Sequence, residues 1–376
     1  MKDDEMGQKQ LLRVVELFGG IGACSKALER LGIGHEIVDY VEIDKYAVKS
    51  FNAIHGTDFE PQDITKWDKD IECDLIMHGS PCQDFSIAGK QAGGDEGSGT
   101  RSSLMYETLR IVEKLKPKYV IWENVKNLLS EKHRHNFDAY LEAMEELGYK
   151  NFYKVLNAKD YGIPQNRERV FTVSIRKGQL VYDDYNQNVR KDQATIGTLT
   201  TNCGATAPRN GWKIFEINPT FEFPEPIPLE RSLKDVLEDR VDEKYFISEN
   251  MMNYFMGVNQ KPSKFPRRER FLANINRKDQ DRANSITTNQ GNRPTDNFVK
   301  VDNSVKPSVA KSFCIRKLTP KECWRLMGFD DSDLDKAEKV NSNTQLYKQA
   351  GNSIVVNVLE AILNNLLGGE YGTRVE

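Results

Sequence analysis

Several features common in other protein classes are missing from this chain of 376 residues. It has no unbroken apolar run of about eighteen residues, so no transmembrane helix is expected. Its first ten residues, MKDDEMGQKQ, are polar and acidic and contain no apolar signal core. The expectation is a cytoplasmic protein with no membrane partner. The six cysteines (Cys24, Cys73, Cys82, Cys203, Cys314, Cys323) form no CxxC pair and show no metal-ligand spacing. A disulfide scaffold and a structural zinc site are therefore not expected, and in a reducing cell the thiols should be free. Excess positive charge is also missing, with a net charge of −3. What is present is an ordinary globular balance, 38% hydrophobic and 29% charged, in a length that suits two or three domains.

The charge is unevenly spread. Lys261, Lys264, Arg267, Arg268, Arg270, Arg277, Lys278 and Arg282 fall within one short segment with only three acids, a local +5 that leaves −8 for the remainder. Such a run is either a solvated surface or a face for phosphates.

Apolar runs and helical periodicity alternate from residue 12 to about 176. Strands are expected at Leu12–Leu17, Glu36–Ile43, Asp74–His78, Tyr119–Trp122 and Val170–Ile175. Helical patterns run to Leu31 and over Tyr46–Ile54, Leu104–Lys116 and Asn136–Leu147. This alternation implies a mainly parallel sheet covered on both faces. From 177 to 315 the chain is polar and carries nine prolines (Pro208, Pro219, Pro224, Pro226, Pro228, Pro262, Pro266, Pro294, Pro307), which argues against a continued α/β pattern. The echo of Thr200–Gly204 in Thr287–Gly291 is too short to call a repeat. Helical patterning returns with Pro320–Met327, capped by Thr319 with Pro320 in first position, and with Ile354–Leu367, apolar enough to be buried. The C-terminus should therefore return to pack on the first domain.

The chemistry-bearing residues lie where the expected strands end. The first strand runs into Phe18-Gly19-Gly20-Ile21-Gly22, either a tight turn or a loop that lets backbone approach a ligand at the head of a helix. The second ends at Glu42, a surface carboxylate or an acceptor for ribose hydroxyls, and Asp63 follows in a third loop. Beyond DLIMH comes Gly79-Ser80-Pro81-Cys82-Gln83-Asp84-Phe85-Ser86. A thiol flanked by Pro and Gln on a loop is poorly placed for core packing and suits a nucleophile. The glycine-rich stretch from Gly89 to Ser103 suits a lid. Glu123-Asn124-Val125 ends the fourth strand, and Gln165-Asn166-Arg167-Glu168-Arg169 leads into the last.

In these blocks and their order the chain resembles the DNA cytosine-5 methyltransferase family of bacterial and phage type. Glu16–Ala23 is similar to the family's cofactor loop. Cys82 lies in its Pro-Cys-Gln motif, Glu123 in its Glu-Asn-Val motif and Arg167 and Arg169 in its Gln-x-Arg-x-Arg motif. Arg316–Phe329 and Tyr347–Ile362 are similar to its C-terminal blocks. The resemblance implies an α/β fold: a Rossmann-like S-adenosylmethionine-dependent methyltransferase domain, residues 1–179 completed by 336–376. A smaller, irregular target-recognition domain would span 180–335, including a hinge helix near 319–328.

The implied reaction transfers a methyl group from S-adenosyl-L-methionine to carbon-5 of a flipped-out cytosine in a short sequence of duplex DNA. Cys82 would be the thiolate that adds at carbon-6, Glu123 would bond ring nitrogen 3 and the amino group, and Arg169 would hold the carbonyl oxygen. Arg167 would order Cys82 or a phosphate, and the proton acceptor would be water. Glu123 must carry or share a proton to bond nitrogen 3; desolvation favours that form and Arg169 opposes it. The cofactor set implied is Phe18, Gly20, Gly22, Glu42, Asp63, Leu104, Asn352 and Ser353, with no metal. Gln83 and Ser86 would close over the flipped nucleotide. Ser285-Ile286 falls where the family has Thr-Leu, and Thr287, Thr288, Asn289 and Arg293 beside it would face DNA; Asn and Arg suit adenine and guanine, although Asn289–Asn292 also reads as a plain turn. Glu16 stands where the family commonly has Asp, and Ala23 where it commonly has Gly. The implied enzyme is a monomer, with or without a separate restriction endonuclease. Three alternatives are a transfer-RNA cytosine-5 methyltransferase, an inactive DNA-binding homologue and an NAD-dependent dehydrogenase. The last leaves the Pro-Cys-Gln and Glu-Asn-Val blocks without a role.

Overall fold

The computed structural model describes residues 11–80, 104–183, 188–192, 212–258, 261, 266–275, 281–302 and 313–372. The sequence alternation becomes β1 (Leu12–Leu17), α1 (Ala23–Arg30), β2 (His35–Val41), α2 (Lys45–His55), β3 (Leu75–His78), α3 (Met105–Leu115), β4 (Tyr119–Val125), α4 (Arg134–Glu146), β5 (Tyr149–Asn157), β6 (Gln165–Asn166) and β7 (Glu168–Arg176). Six of these strands form one sheet in the order β2-β1-β3-β4-β7-β5. The pairings among β2, β1, β3 and β4 are parallel, and β7 runs antiparallel to both β4 and β5. The sheet is thus less uniformly parallel than the alternation implied. The additional strand, β5, has lysines at Lys150 and Lys154 and an exposed Tyr153. It lies on the sheet edge, where no continuous apolar run is needed.

Neighbouring residues in each strand bury on opposite faces, as the strand period of two demands. Val14, Leu75, Met77, Ile121 and Val173 pack with Ala27 and Leu28 of α1. Val15, Ile76, Val120 and Trp122 pack with Ile111 of α3 and with Phe137 and Tyr140 of α4. Both faces are covered, as expected.

The following segment holds the antiparallel strands β8 (Gly178–Asp183), β9 (Asn188–Asp192) and β10 (Trp212–Ile217), in the order β10-β8-β9. It continues with α5 (Glu249–Phe255), α6 (Arg267–Ile275), β11 (Ala283–Asn284), β12 (Phe298–Asp302) and β13 (Phe313–Lys317). A small separate core forms where Phe255, Phe271 and Phe298 meet at ring-centroid distances of 5.0–5.4 Å.

The C-terminal helices are α7 (Pro320–Arg325), α8 (Asp331–Ala337), α9 (Asn343–Asn352) and α10 (Val356–Leu367). Thr319 caps α7 in a reciprocal box with Glu322, with Pro320 at its start. Glu322, fully buried, also takes two bonds from Arg316 at 2.8 and 2.7 Å. α10 returns to the first sheet face: Leu359, Ile362 and Leu363 are fully buried in the core that includes α1. Trp324 and Met327 from α7 and the turn after it lie in that same core. Residues 343–371 are long and apolar enough to cross a membrane by length and composition, but the apolar face of α10 is occupied by this packing.

Candidate active site

The parallel strands all end at one edge of the sheet, and β7 begins there, with Arg169 paired to Val125 and Phe171 to Glu123. A cavity opens at this edge, lined by Glu16, Phe18, Gly19, Gly20, Met77, Gly79, Glu123, Asn352, Ser353 and Ile354. It joins the ends of three strands to the turn between α9 and α10, residues some 330 positions apart in the chain.

The loop after β1 is held from below. Gly22 sits at φ +80°, and a Cβ there would lie 2.3 Å from the His55 ring nitrogen, so only glycine fits. Tyr40 donates its hydroxyl to the Gly20 carbonyl at 2.6 Å. Glu42 accepts from the Gly20 amide at 3.2 Å and from the Asp44 amide at 2.8 Å, and burial raises its pKa. The Gln62 amide bonds the Glu42 carbonyl at 2.8 Å, which brings the third loop alongside. Asp63 in that loop caps a short turn through Thr65, at 3.1 Å from its amide and 2.8 Å from its hydroxyl; these bonds hold the Asp63 carboxyl below its usual pKa. Leu104 is the cap residue of α3 and, like Phe18, packs against the second sheet face.

Glu16 is buried in the cavity wall. Its Oε1 accepts from both the amide, at 2.9 Å, and the hydroxyl of Ser25. Burial nevertheless pushes its pKa up to about 7. The folded state therefore holds this proton more tightly than the unfolded chain, and its stabilising effect is complete at low pH and lost as pH rises through about 7. Wild type is expected to lose about 3 kcal/mol of stability from this group between acid and mildly alkaline pH. Urea unfolding of Glu16→Gln should lack that component; an identical pH slope in both proteins contradicts the assignment.

Glu123 stands across the cavity. The Arg169 Nε lies 3.1 Å from its Oε1. Desolvation is the larger influence on Glu123 and raises its pKa, while Arg169 and then Arg167 pull the other way. The competition left open by sequence is thus decided in favour of burial. Arg169 also donates to the Glu168 carbonyl at 2.8 Å.

Cys82, Gln83 and Ser86, with the glycine-rich stretch, lie outside the described residues. The chain leading to them is well anchored. A Cβ at Gly79 would lie 3.7 Å from Glu123 Oε2. Ser80 is buried and its hydroxyl accepts from Trp122 Nε1 at 3.0 Å and Asn124 Nδ2 at 3.3 Å.

Arg167 makes contacts that its motif did not foretell. Its buried guanidinium donates to the carbonyls of Ile286 (3.2 Å), Gly351 (3.1 Å) and Ser353 (2.8 Å). It ties the segment after β11 to the α9–α10 turn that lines the cavity. Gln165 works beside it, donating to the Leu326 carbonyl at 2.7 Å and accepting from the Ile286 amide at 2.9 Å. Gly351 presses against the same segment: a Cβ there would lie 2.4 Å from the Thr288 amide nitrogen and 2.5 Å from the Thr287 carbonyl carbon. Gly351→Ala must push two backbones apart and should cost about 1–3 kcal/mol. A thermal midpoint equal to wild type would contradict this close approach.

Of the expected base-facing residues, Thr288, Asn289 and Arg293 are exposed. Thr287 instead directs its hydroxyl to Asp296 Oδ1 at 3.2 Å. Asp296, buried and not anticipated, also receives the Asn292 and Arg293 amides at 2.9 Å each and so shapes the turn. In the basic segment Arg268 and Arg270 are exposed on α6, whereas the Arg267 guanidinium stacks 4.1 Å from the Tyr254 ring centroid. Lys264, Arg277 and Lys278 lie outside the described residues.

Comparisons with known proteins identify the family. Residues 12–368 match the model of C-5 cytosine-specific DNA methylases. The type II methyltransferase M2.ScrFI of Lactococcus lactis subsp. cremoris is 32% identical, over 95% of this chain and 99% of its own. The orphan methyltransferase M.SPRI of Bacillus phage SPR is 30% identical, over 95% and 97%. Among solved structures, the S. pombe Dnmt2 methyltransferase superposes with a TM-score of 0.62 at 18% identity, covering 95% of this chain and 99% of that one, which shows a shared fold. With the family model spanning nearly the whole chain and relatives this similar, the protein belongs to the C-5 cytosine-specific DNA methylase family and is a DNA cytosine methyltransferase.

Proposed function

We propose that the protein transfers a methyl group from S-adenosyl-L-methionine to carbon-5 of a cytosine flipped out of duplex DNA, within a short specific sequence, through a covalent thioether on Cys82. The observation that carries this reading is the pairing of Arg169 with the buried Glu123, beside the strand end that leads to Cys82.

The cavity fits the methyl donor. In its lining Phe18 offers a ring and Glu16 has its Oε2 without a partner among the described residues, available to an ammonium group; Glu42 and Asp63, on loops beside the lining rather than in it, would supply acceptors for ribose hydroxyls. Asn352 and Ser353 form the opposite wall. Bound there, S-adenosyl-L-methionine supplies an electrophilic methyl on a sulfonium.

The chain's own residues do the remaining work. The Cys82 thiolate adds to carbon-6 of the cytosine, and the ring's electron pair moves toward carbon-5. Glu123, whose protonated form burial favours, donates to ring nitrogen 3 and accepts from the amino group, which draws charge in the direction that addition requires. Arg169 bonds the ring carbonyl oxygen. Once carbon-5 carries the methyl group, its proton passes to water and the thiolate leaves. Arg167 acts as a positioning residue through its bonds to backbone carbonyls on the two segments that frame the site. Residues 180–335 serve as the target-recognition region, with the exposed Thr288, Asn289 and Arg293 turned to DNA. Extruding the base costs about a few kcal/mol, which contacts from this region offset.

The test is incorporation of labelled methyl from S-adenosyl-L-methionine into duplex DNA and, in parallel, into total transfer RNA. Label in DNA supports the reading; label in transfer RNA alone overturns it.

A further inference from the structure

A second cavity, of about 330 Å³, lies between the turn after β11 and the start of α9. Among the described residues no acidic side chain lines it, whereas Lys317 and Lys244, the latter paired with Asp242 at 3.2 Å, both do. Lys317 is half-buried, makes no ion pair among the described residues, and has its ammonium 5.4 Å from the Tyr347 ring centroid and 6.0 Å from that of Tyr245. Burial lowers its pKa. The two rings stabilise the ammonium, and with no carboxylate paired to it among the described residues the charge is left to take an anion. The first turn of α9, Asn343 and Thr344, forms another wall; Ser342 provides no side-chain cap, so its free amides add partial positive charge. Gln290, also in the lining, is 1% exposed, and its side-chain oxygen has no hydrogen-bond donor among the described residues. The cavity thus presents the Lys317 ammonium and the free amides of α9 for a phosphate.

We propose that this cavity is a second nucleotide subsite that takes a phosphate of the bound DNA strand, one outside the catalytic pocket, on Lys317. The proposal rests on the DNA-methylating reading above. Two observations favour a strand over a free nucleotide. The cavity is bordered by Thr288 and Asn289 of the exposed turn, and α9 runs from it to Asn352 in the catalytic cavity. Ten helical residues span about 14 Å at about 1.5 Å each. One DNA strand carries a charge about every 3.4 Å of axis, so a strand delivering its base to the first cavity has phosphates within reach of the second.

Binding of a labelled duplex, measured by anisotropy across a salt series, tests this. Lys317→Met keeps the stem that packs under Gly291 and removes the charge. It should weaken binding about 5–10-fold and lower the salt slope by about one, and Lys317→Arg should restore both. Asn343→Asp, nearly isosteric, adds a negative charge to the cavity and should also weaken binding, which covers the case where the methionine variant does not fold. Unchanged affinity and slope in Lys317→Met and Asn343→Asp, with wild type still methylating DNA, overturns the subsite and leaves the function standing. Failure of wild type to methylate DNA sinks the function instead. Deoxycytidine monophosphate saturating wild type below millimolar concentration, with DNA affinity indifferent to Lys317→Met, would assign the cavity to a free nucleotide and overturn the strand assignment.

Discussion

Cys82→Ala is expected to reduce methyl transfer to DNA by about 10⁴-fold or more, the scale of losing a covalent nucleophile. Binding of S-adenosyl-L-methionine and of DNA should persist. The cofactor loop rests on Tyr40, Glu42 and His55, and the chain before the thiol is anchored at Ser80 by Trp122 and Asn124. Single-turnover transfer with saturating DNA, alongside calorimetry with S-adenosyl-L-methionine, separates the two effects. Transfer within tenfold of wild type would remove Cys82 from the chemistry. Loss of cofactor binding would assign it a structural role.

The second large effect is at Glu123, where two substitutions divide the role. Glu123→Ala removes both bonds to the base and should cost about 10³-fold in rate. Glu123→Gln keeps a donor for nitrogen 3 and an acceptor for the amino group but cannot give up a proton, so it should fall between wild type and alanine. The pH profile is the sharper readout. Burial raises the Glu123 pKa against Arg169 and Arg167, and in the proposed mechanism the protonated form is the active one. Wild-type rate should therefore decline as pH rises through that raised value. In Glu123→Gln this limb should vanish. A limb that survives in the glutamine variant belongs to another group, and a profile that rises with pH would mean that the ionised carboxylate is the active form.

Most of the catalytic half was legible in the sequence because its signals are local. A short apolar run followed by a glycine turn marks β1 and its loop, and the motifs at Glu123 and Arg169 fall at strand ends that period-two burial reveals. What escaped depended on distant partners. Strand β5 is an edge strand with lysines, so nothing in its nine residues announces it. Nothing in the motif around Arg167 said that its guanidinium would also bond carbonyls 119 to 186 positions away, at Ile286 and at Gly351 and Ser353. Gly351 looks like a helix residue until Thr287 and Thr288 are placed against it. Nothing in the motif said that the Thr287 hydroxyl would bond Asp296. The second cavity is assembled from α9, β13 and the turn after β11, a juxtaposition that only tertiary packing creates.

The central claim is tested most directly by bisulfite sequencing of DNA from cells expressing the wild-type protein and, in parallel, Cys82→Ala. Protected cytosines confined to one short sequence in the wild type, and absent in the variant, are the predicted result, and they would reveal the target at the same time. No protected cytosine with well-expressed, folded wild-type protein, or protection that persists in the variant, would contradict the account.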